Sequence, residues 1–199
     1  MKIAIGGMIA SGKSTLVKKI ANHYNYHTAE EFDSNDHVFN TLLEWLYEGV
    51  EDVEMLLQVY FLHKHWKVSK VYNDDVVVDR HMIEHWLFAQ HNIQEPVIRN
   101  FYNGIFHAYM NDVKQPDLYI ILDLNWDSFK NRIFARGREQ EIENFPSNEP
   151  YFKGLMDDYV NKLKAQCAIY NIPYVIIDTN VLDIDGVYEE AIRLIDEHI

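Results

Sequence analysis

The sequence predicts an α/β fold with a doubly wound, parallel, five-stranded sheet and helices on both faces. Short apolar runs alternate along the chain with longer segments of helical periodicity, which favours parallel strands joined by helices. The runs VVVD (76–79) and LYIILDL (118–124) are almost continuously apolar, as expected of strands that are buried on both faces.

The elements can be placed in chain order from these patterns. Strands are predicted at 2–6, 27–30, 76–79, 118–124 and 174–178. Helices are predicted at about 13–24, 36–49, 53–72, in two stretches after 81, at 126–135, in one long segment ending near 170, and from 186 to 199. The stretch IENFPSNEP (142–150) combines Pro, Asn and Ser and is predicted to be the most loop-like segment. With no repeat or linker, residues 1–199 are predicted to form a single domain.

Composition narrows the class of function. The chain has 199 residues and a formal net charge of −13, which disfavours a nucleic acid polymer as partner because such binding needs Lys and Arg to neutralise phosphates. No apolar run approaches the roughly 20 residues needed to cross a membrane, and the N-terminus does not resemble a secretory signal. The single cysteine is compatible with a reducing compartment, so we expect a cytoplasmic protein that acts on small molecules.

The segment GMIASGKS (7–14) matches the phosphate-binding pattern G-x-x-x-x-G-K-[ST] in full, between a predicted strand and a predicted helix. Its glycines let backbone N–H groups approach phosphate oxygens, and the helix N-terminus adds partial positive charge. Lys13 is expected to reach the outer phosphates, and the Ser14 hydroxyl is expected to bind Mg²⁺. The predicted ATP-binding residues here are Gly7, Met8, Ile9, Ala10, Ser11, Gly12, Lys13, Ser14 and Thr15.

A second pattern, His81-x-x-Glu84-His85, matches a spacing used by zinc peptidases. Such a site needs a third ligand, and acidic residues are too abundant here for one of them to be diagnostic. The pattern also directly follows Asp79-Arg80 on a chain with a phosphate-binding loop. We therefore interpret these histidines as residues that line or flank a substrate pocket.

Five segments in order give a more specific resemblance. They are GGMIASGKST, AEEFDSNDHVFNTLLEWLYE, LLQVYFLHKHWK, VVVDRHMIEHWLFA and RIFARGREQE. Across nearly the whole chain they resemble the deoxynucleoside kinase family, and most of all its short bacterial purine-type members. The resemblance implies a P-loop kinase that uses ATP and Mg²⁺ to phosphorylate a deoxynucleoside, with adenine or guanine preferred, at its 5′-hydroxyl.

The resemblance also implies catalytic roles. Glu30, five residues before Asn35, matches the family's general base for the 5′-hydroxyl. Arg80 matches the arginine that holds the transferring phosphoryl group, and Asp79 its acidic neighbour. The alternatives are a solvated acid at a strand end, with Glu31 beside it, and a structural ion pair.

Three arginines close together resemble the family's lid, at about 132–150, which closes over ATP. They are Arg132, Arg136 and Arg138. Arg132 and Arg136 are four residues apart and share a helix face. The alternative is a solvated basic helix end.

Substrate contacts follow from the same resemblance. Tyr47 and Glu141 occupy the places that hold the sugar 3′-hydroxyl, and Gln58 the place of a glutamine that reads the base edge. The aromatic floor of the pocket is expected to come from Phe88 or Trp86.

The chain departs from the family at the base and beside the arginine. Many members have an arginine seven residues after the glutamine, where this chain has His65. The family's base-reading acid falls on His85 or on Glu84, depending on register, and His81 stands where a serine is common.

Two other functions compete with a deoxynucleoside kinase. A nucleoside-monophosphate kinase of the thymidylate type also carries an Asp-Arg pair, but it is expected to need an extra arginine for the acceptor phosphate. Residues 31–72 contain no arginine, only Lys64, Lys67 and Lys70. A non-catalytic nucleotide-binding regulator is the second. The family resemblance also implies a homodimer, with its interface on helices between 36 and 110.

Overall fold

The computed structural model describes residues 1–29, 36–48, 50–137 and 142–198. The strands are β1 (Lys2–Gly7), β2 (His27–Ala29), β3 (Val76–Asp79), β4 (Leu118–Asp123) and β5 (Tyr174–Asp178). The helices are α1 (Lys13–Tyr24), α2 (His37–Tyr47), α3 (Val53–Val71), α4 (Met82–Asn92), α5 (Pro96–Asn111), α6 (Trp126–Arg136), α7 (Phe145–Met156), α8 (Tyr159–Tyr170) and α9 (Ile184–Asp196).

The five strands form one parallel sheet in the order β2-β3-β1-β4-β5. The predicted fold class is therefore confirmed. Successive residues of the central strand point to opposite layers of the core: Ile3 and Ile5 pack with α1 and α9, whereas Ala4 packs with the layer that contains Tyr102 and Phe106 of α5. Both layers are buried, which explains why the strand sequences are apolar without alternation.

The helices differ from the prediction in one region. Residues 145–150, which we expected to be loop-like, begin helix α7, and the expected long helix is two helices, α7 and α8. Pro146 lies in the first turn of α7, where its missing N–H leaves no intrahelical bond unmade. Phe145 and Leu155 are buried from this helix, and the Phe145 ring lies against Phe129 of α6. Tertiary packing of these apolar side chains thus overrides the loop-forming composition.

The sheet positions the candidate site. Because β1 lies between β3 and β4, the ends of β1 and β3 meet at the same edge, where Ile5 is paired with Asp79. The phosphate-binding loop and Asp79-Arg80 follow directly from these ends. No helix within the described ranges is long and apolar enough to cross a membrane.

Candidate active site

An open cleft of about 1540 Å³ lies at the carboxyl ends of the strands. The phosphate-binding loop and the α6 arginines line one end of it, and side chains of α3 and α4 line the other. Asp79 and Arg80 line the cleft as well, from the end of β3. The cleft therefore joins the segments that the sequence singled out separately.

The phosphate-binding loop turns tightly between β1 and α1. Gly7 has φ 146°, and a Cβ there would lie 2.8 Å from Ser11 Oγ and 2.9 Å from the Leu122 carbonyl oxygen, so this position requires glycine. The Lys13 ammonium is buried and donates to the Met8 carbonyl oxygen at 2.9 Å, across the loop. The predicted loop residues that line the cleft are Ile9, Ala10, Ser11, Gly12, Lys13, Ser14 and Thr15. Gly7 and Met8 lie behind them, with the Met8 side chain in the core.

A hydroxyl and a carboxylate meet where α1 begins. Ser14 Oγ donates a hydrogen bond of 2.6 Å to Asp79 Oδ2, and both residues line the cleft. Hydroxyl and carboxylate oxygens are hard ligands of the kind Mg²⁺ prefers, with phosphates and waters completing its shell. The residues present therefore fit a magnesium site.

Arg80 is held in an unusual backbone conformation directly after β3. Its φ is 72°, in the left-handed region, while its N–H donates to the Ile5 carbonyl oxygen at 2.9 Å. The guanidinium Nη1 donates to the Gly7 carbonyl oxygen at 3.1 Å, and the guanidinium lies 5.2 Å from the centre of the Phe88 ring. The side chain is therefore fixed between the phosphate-binding loop and the wall of the cleft.

Glu84, one helical turn after Arg80, is fully buried. Its Oε2 accepts from Arg80 Nη1 at 2.6 Å, from the Tyr159 hydroxyl at 2.7 Å and from the Gly7 N–H at 3.2 Å. Its Oε1 accepts from the Tyr119 hydroxyl at 3.0 Å and from the His81 N–H at 3.2 Å. Sequence reasoning considered this carboxylate only as part of the zinc-peptidase pattern and as a possible contact with the base.

The charge of Glu84 is maintained by these partners. Burial alone raises the pKa of Glu84, but attraction to Arg80 and Lys13 and hydrogen bonds from Tyr159 and Gly7 hold that pKa below its usual value. Burial, with the adjacent carboxylate, raises the pKa of the Tyr119 and Tyr159 hydroxyls well above the usual value, so both stay protonated donors. The cluster is thus an ionised carboxylate with five donors.

The far end of the cleft is aromatic with a few polar groups. Gln58, Phe61, His85 and Phe88 line it. The His85 ring is stacked near Phe61, with centroids 5.9 Å apart, and its Nε2 lies 2.9 Å from Nδ1 of His65. Of the two residues considered for the base-facing position, His85 lines the cleft and Glu84 does not.

Both histidines of this pair are neutral near pH 7. Burial, with the nearby charge of Arg80, lowers the pKa of His85 to about 3. Burial, with His85, Lys2 and Arg80, lowers the pKa of His65 well below its usual value. The pair is therefore an uncharged, hydrogen-bonded contact between α3 and α4 beside the cleft.

His81 has a structural role at the start of α4. Its Nδ1 accepts from the Ile83 N–H at 3.3 Å, and the Glu84 side chain accepts from the His81 N–H, which together form a capping box. His81 caps this helix rather than lining the cleft, while His85 bonds His65. Among the described residues, no group of three or more His, Cys, Asp or Glu side chains is arranged to hold a metal ion.

Two of the three arginines predicted to form a lid, Arg132 and Arg136, lie on α6 and both line the cleft. Arg132 is half-buried and donates to the Ser11 carbonyl oxygen at 3.3 Å and to the Thr179 carbonyl oxygen, so it is attached to the phosphate-binding loop. Burial lowers its pKa. Arg136 is exposed at the rim.

Several predicted site residues fall outside the described part of the chain. They are Glu30, Glu31, Arg138 and Glu141, together with the side chain of Tyr47. Of the two candidates for the aromatic floor, Phe88 lines the cleft, whereas Trp86 packs against the core. Phe61 also lines the cleft, and sequence reasoning missed it although it lies one helical turn after Gln58.

The sequence of this chain is similar to a known protein family over nearly its whole length. A model of the deoxynucleoside kinase family matches residues 3–199. An uncharacterized protein of Mycoplasma genitalium is 36% identical over 189 residues, which cover 90% of this chain and 83% of that protein. A deoxyguanosine kinase of Lactobacillus johnsonii is 31% identical over 169 residues, which cover 79% of this chain and 74% of that enzyme.

A solved structure supports the same fold. The structure of deoxyadenosine kinase from M. mycoides with bound dCTP superposes with a TM-score of 0.80 at 23% identity, covering 99% of this chain and 100% of that one. Since the family match spans nearly the whole chain, the protein belongs to the deoxynucleoside kinase family: it is a P-loop kinase, similar to bacterial deoxyadenosine and deoxyguanosine kinases, that phosphorylates a deoxynucleoside.

Proposed function

We propose that the enzyme transfers the γ-phosphoryl group of ATP to the 5′-hydroxyl of a purine deoxynucleoside, with Mg²⁺ as cofactor. The observation that carries this proposal is the shared cleft, in which Arg80 lies between a phosphate-binding loop and an aromatic pocket with Gln58 and His85. A triphosphate at the loop and a flat base at the far end would bring a γ-phosphate and a 5′-hydroxyl together near Arg80.

At the donor end, Lys13 and the loop N–H groups bind the phosphates of ATP. Lys13 reaches the outer phosphates on moving from the Met8 carbonyl oxygen, which it contacts at 2.9 Å. Arg132, attached to the loop, and Arg136, at the rim of the same cleft, approach the donor from α6. Arg138, outside the described residues, completes this group.

Ser14 and Asp79 would hold the magnesium ion. When bound, Mg²⁺ neutralises charge on the donor phosphates. The 2.6 Å bond between Ser14 and Asp79 supports this assignment because it places two oxygen ligands together beside Lys13.

At the reacting atoms, Glu30 accepts the proton of the 5′-hydroxyl as its oxygen attacks the γ-phosphate. A carboxylate suffices because little proton transfer is needed early in a loose transition state. Arg80 binds the equatorial oxygens of the transferring group, where negative charge spreads. Its burial and fixed backbone favour this role, since a preorganised cation loses little entropy during the reaction.

At the acceptor end, Tyr47 and Glu141 hold the sugar 3′-hydroxyl, and Gln58 and His85 contact the base. The Gln58 amide offers both donors and an acceptor, and the neutral His85 ring offers one nitrogen as either. Phe61 and Phe88 flank a flat ring. This uncharged set suits a purine edge, and the deoxyguanosine kinase of L. johnsonii supports the same preference.

Homodimer formation and a cytoplasmic location stay predictions. Exposed apolar side chains on α5, Val97 and Phe101, support the predicted dimer because they lie within the expected interface region.

The test is an ADP-release assay with ATP and Mg²⁺ against all four deoxynucleosides and all four deoxynucleoside monophosphates. We expect turnover with deoxyguanosine or deoxyadenosine and none with any monophosphate. Turnover with a monophosphate alone would instead make this a monophosphate kinase. ATP binding without turnover on any of the eight acceptors would favour a regulator.

A further inference from the structure

The buried carboxylate of Glu84 does not line the cleft, yet it binds Arg80, which does, and residues of β1, β4 and α8. Its five donors are Gly7 at the end of β1, Arg80 and His81 between β3 and α4, Tyr119 of β4 and Tyr159 of α8. Burying a carboxylate is costly unless every lone pair is satisfied. A structural contact alone could be made by an apolar side chain, so the retained charge calls for a reason.

The hydrogen bonds of Glu84 Oε2 give a reason for the buried charge. This single oxygen accepts from Arg80 Nη1 at 2.6 Å and from the Gly7 N–H at 3.2 Å, while the same Nη1 donates to the Gly7 carbonyl oxygen at 3.1 Å. The Gly7 residue is thus bound through its N–H to Glu84 and through its carbonyl to Arg80. The guanidinium and the start of the phosphate-binding loop cannot shift relative to each other without breaking these bonds.

The third donor to Oε2 extends the connection. The Tyr159 hydroxyl, at 2.7 Å, is on the first residue of α8. The preceding helix, α7, carries Asn148, Tyr151 and Phe152, which line the cleft near the α6 arginines. Glu84 therefore also holds the start of α8, the helix that follows the cleft-lining α7.

We propose that Glu84 is a positioning residue that holds the Arg80 guanidinium in register with the phosphate-binding loop. This inference rests on the proposed role of Arg80 at the transferring phosphoryl group. It predicts that Glu84 affects the chemical step and not the binding of either substrate, because Glu84 itself contacts neither.

The test is a double-mutant cycle on kcat. Glu84→Gln keeps the shape but loses the charge, and we expect kcat to fall about 100-fold, as for a misplaced reacting group, while both KM values change less than about threefold. Arg80→Lys keeps a cation but loses the planar fork. In the Arg80→Lys background, Glu84→Gln should lower kcat less than about threefold further, since its effect passes through the arginine.

Two hydroxyl deletions keep the proposal testable if Glu84→Gln does not fold. Tyr159→Phe removes a donor from Oε2, the oxygen that binds Arg80, and should lower kcat about 10-fold. Tyr119→Phe removes a donor from Oε1 only and should keep kcat within about threefold at a similar loss of Tm.

The outcomes separate the two proposals. Equal kcat losses in the two tyrosine variants, or losses for Glu84→Gln that multiply with Arg80→Lys, would overturn the positioning role. A wild-type enzyme that turns over no deoxynucleoside would overturn the proposed function instead.

Discussion

Three buried histidines should make this protein sensitive to mild acid. Burial, with the neighbouring His65 and Lys2 and against the attraction of Glu84, lowers the pKa of His81 to about 3. The pKa of His85 is lowered to about 3 and that of His65 well below its usual value. All three are neutral in the folded protein and become protonated near pH 6.5 only when the chain unfolds.

The sign and size of the effect follow from this difference. Below pH 6.5 these histidines bind protons in the unfolded chain but not in the folded chain. The free energy of unfolding therefore falls as the pH falls, until the pH reaches the pKa that each histidine has in the folded protein. Each histidine costs about 1.4 kcal/mol per pH unit in this window. At pH 5, His81 and His85 together cost about 4 kcal/mol, and His65 adds to it in the same direction. That is a large part of the roughly 5–15 kcal/mol of a typical domain.

Urea unfolding followed by tryptophan fluorescence between pH 7.5 and pH 5 measures this cost. His81→Ser is the matched variant, because serine also caps a helix but does not titrate. At pH 5 the variant should have lost about 2 kcal/mol less than the wild type, relative to each protein at pH 7.5. Comparing the two proteins cancels the contribution of the carboxylates. Identical pH dependence in both would refute the assignment of His81 as a neutral, buried cap.

Two further predictions concern the ligands. Ser14→Ala should raise the Mg²⁺ concentration for half-maximal activity at least about 10-fold in a magnesium titration. The control, Ser128→Ala, lies away from the cleft and should leave this concentration unchanged. An unchanged magnesium requirement in Ser14→Ala would show that Ser14 does not bind the metal. Gln58→Leu should lower kcat/KM for the deoxynucleoside about 10- to 100-fold in steady-state kinetics, because two hydrogen bonds to the base are lost. The KM for ATP should be unchanged. An equal loss of kcat/KM for both substrates would contradict base recognition by this amide.

The fold could be predicted from the sequence because its strands are buried on both faces. A run such as LYIILD has no alternative interpretation as an exposed segment, and the phosphate-binding pattern fixes the turn between β1 and α1. The start of α7 could not be predicted, since the benefit of burying Phe145 against Phe129 depends on a partner in another helix.

The site was predictable only where one local pattern carries the chemistry. Arg80 and Glu84 are four residues apart, and this spacing in the sequence predicts the ion pair that the structure shows. The other donors to that carboxylate cannot be inferred this way, because Tyr119 and Tyr159 lie 35 and 75 residues further along the chain. Likewise, the contact of His65 with His85 depends on how α3 packs against α4.

The most direct test of the proposed function is identification of the product. After incubation with ATP, Mg²⁺ and either deoxyguanosine or deoxyadenosine, ³¹P NMR of the mixture should show a 5′-monophosphate forming in equal amount to ADP. Arg80→Lys should slow both signals together. Inorganic phosphate in place of the nucleoside monophosphate, or a phosphate attached at the 3′-hydroxyl, would contradict transfer to the 5′-oxygen.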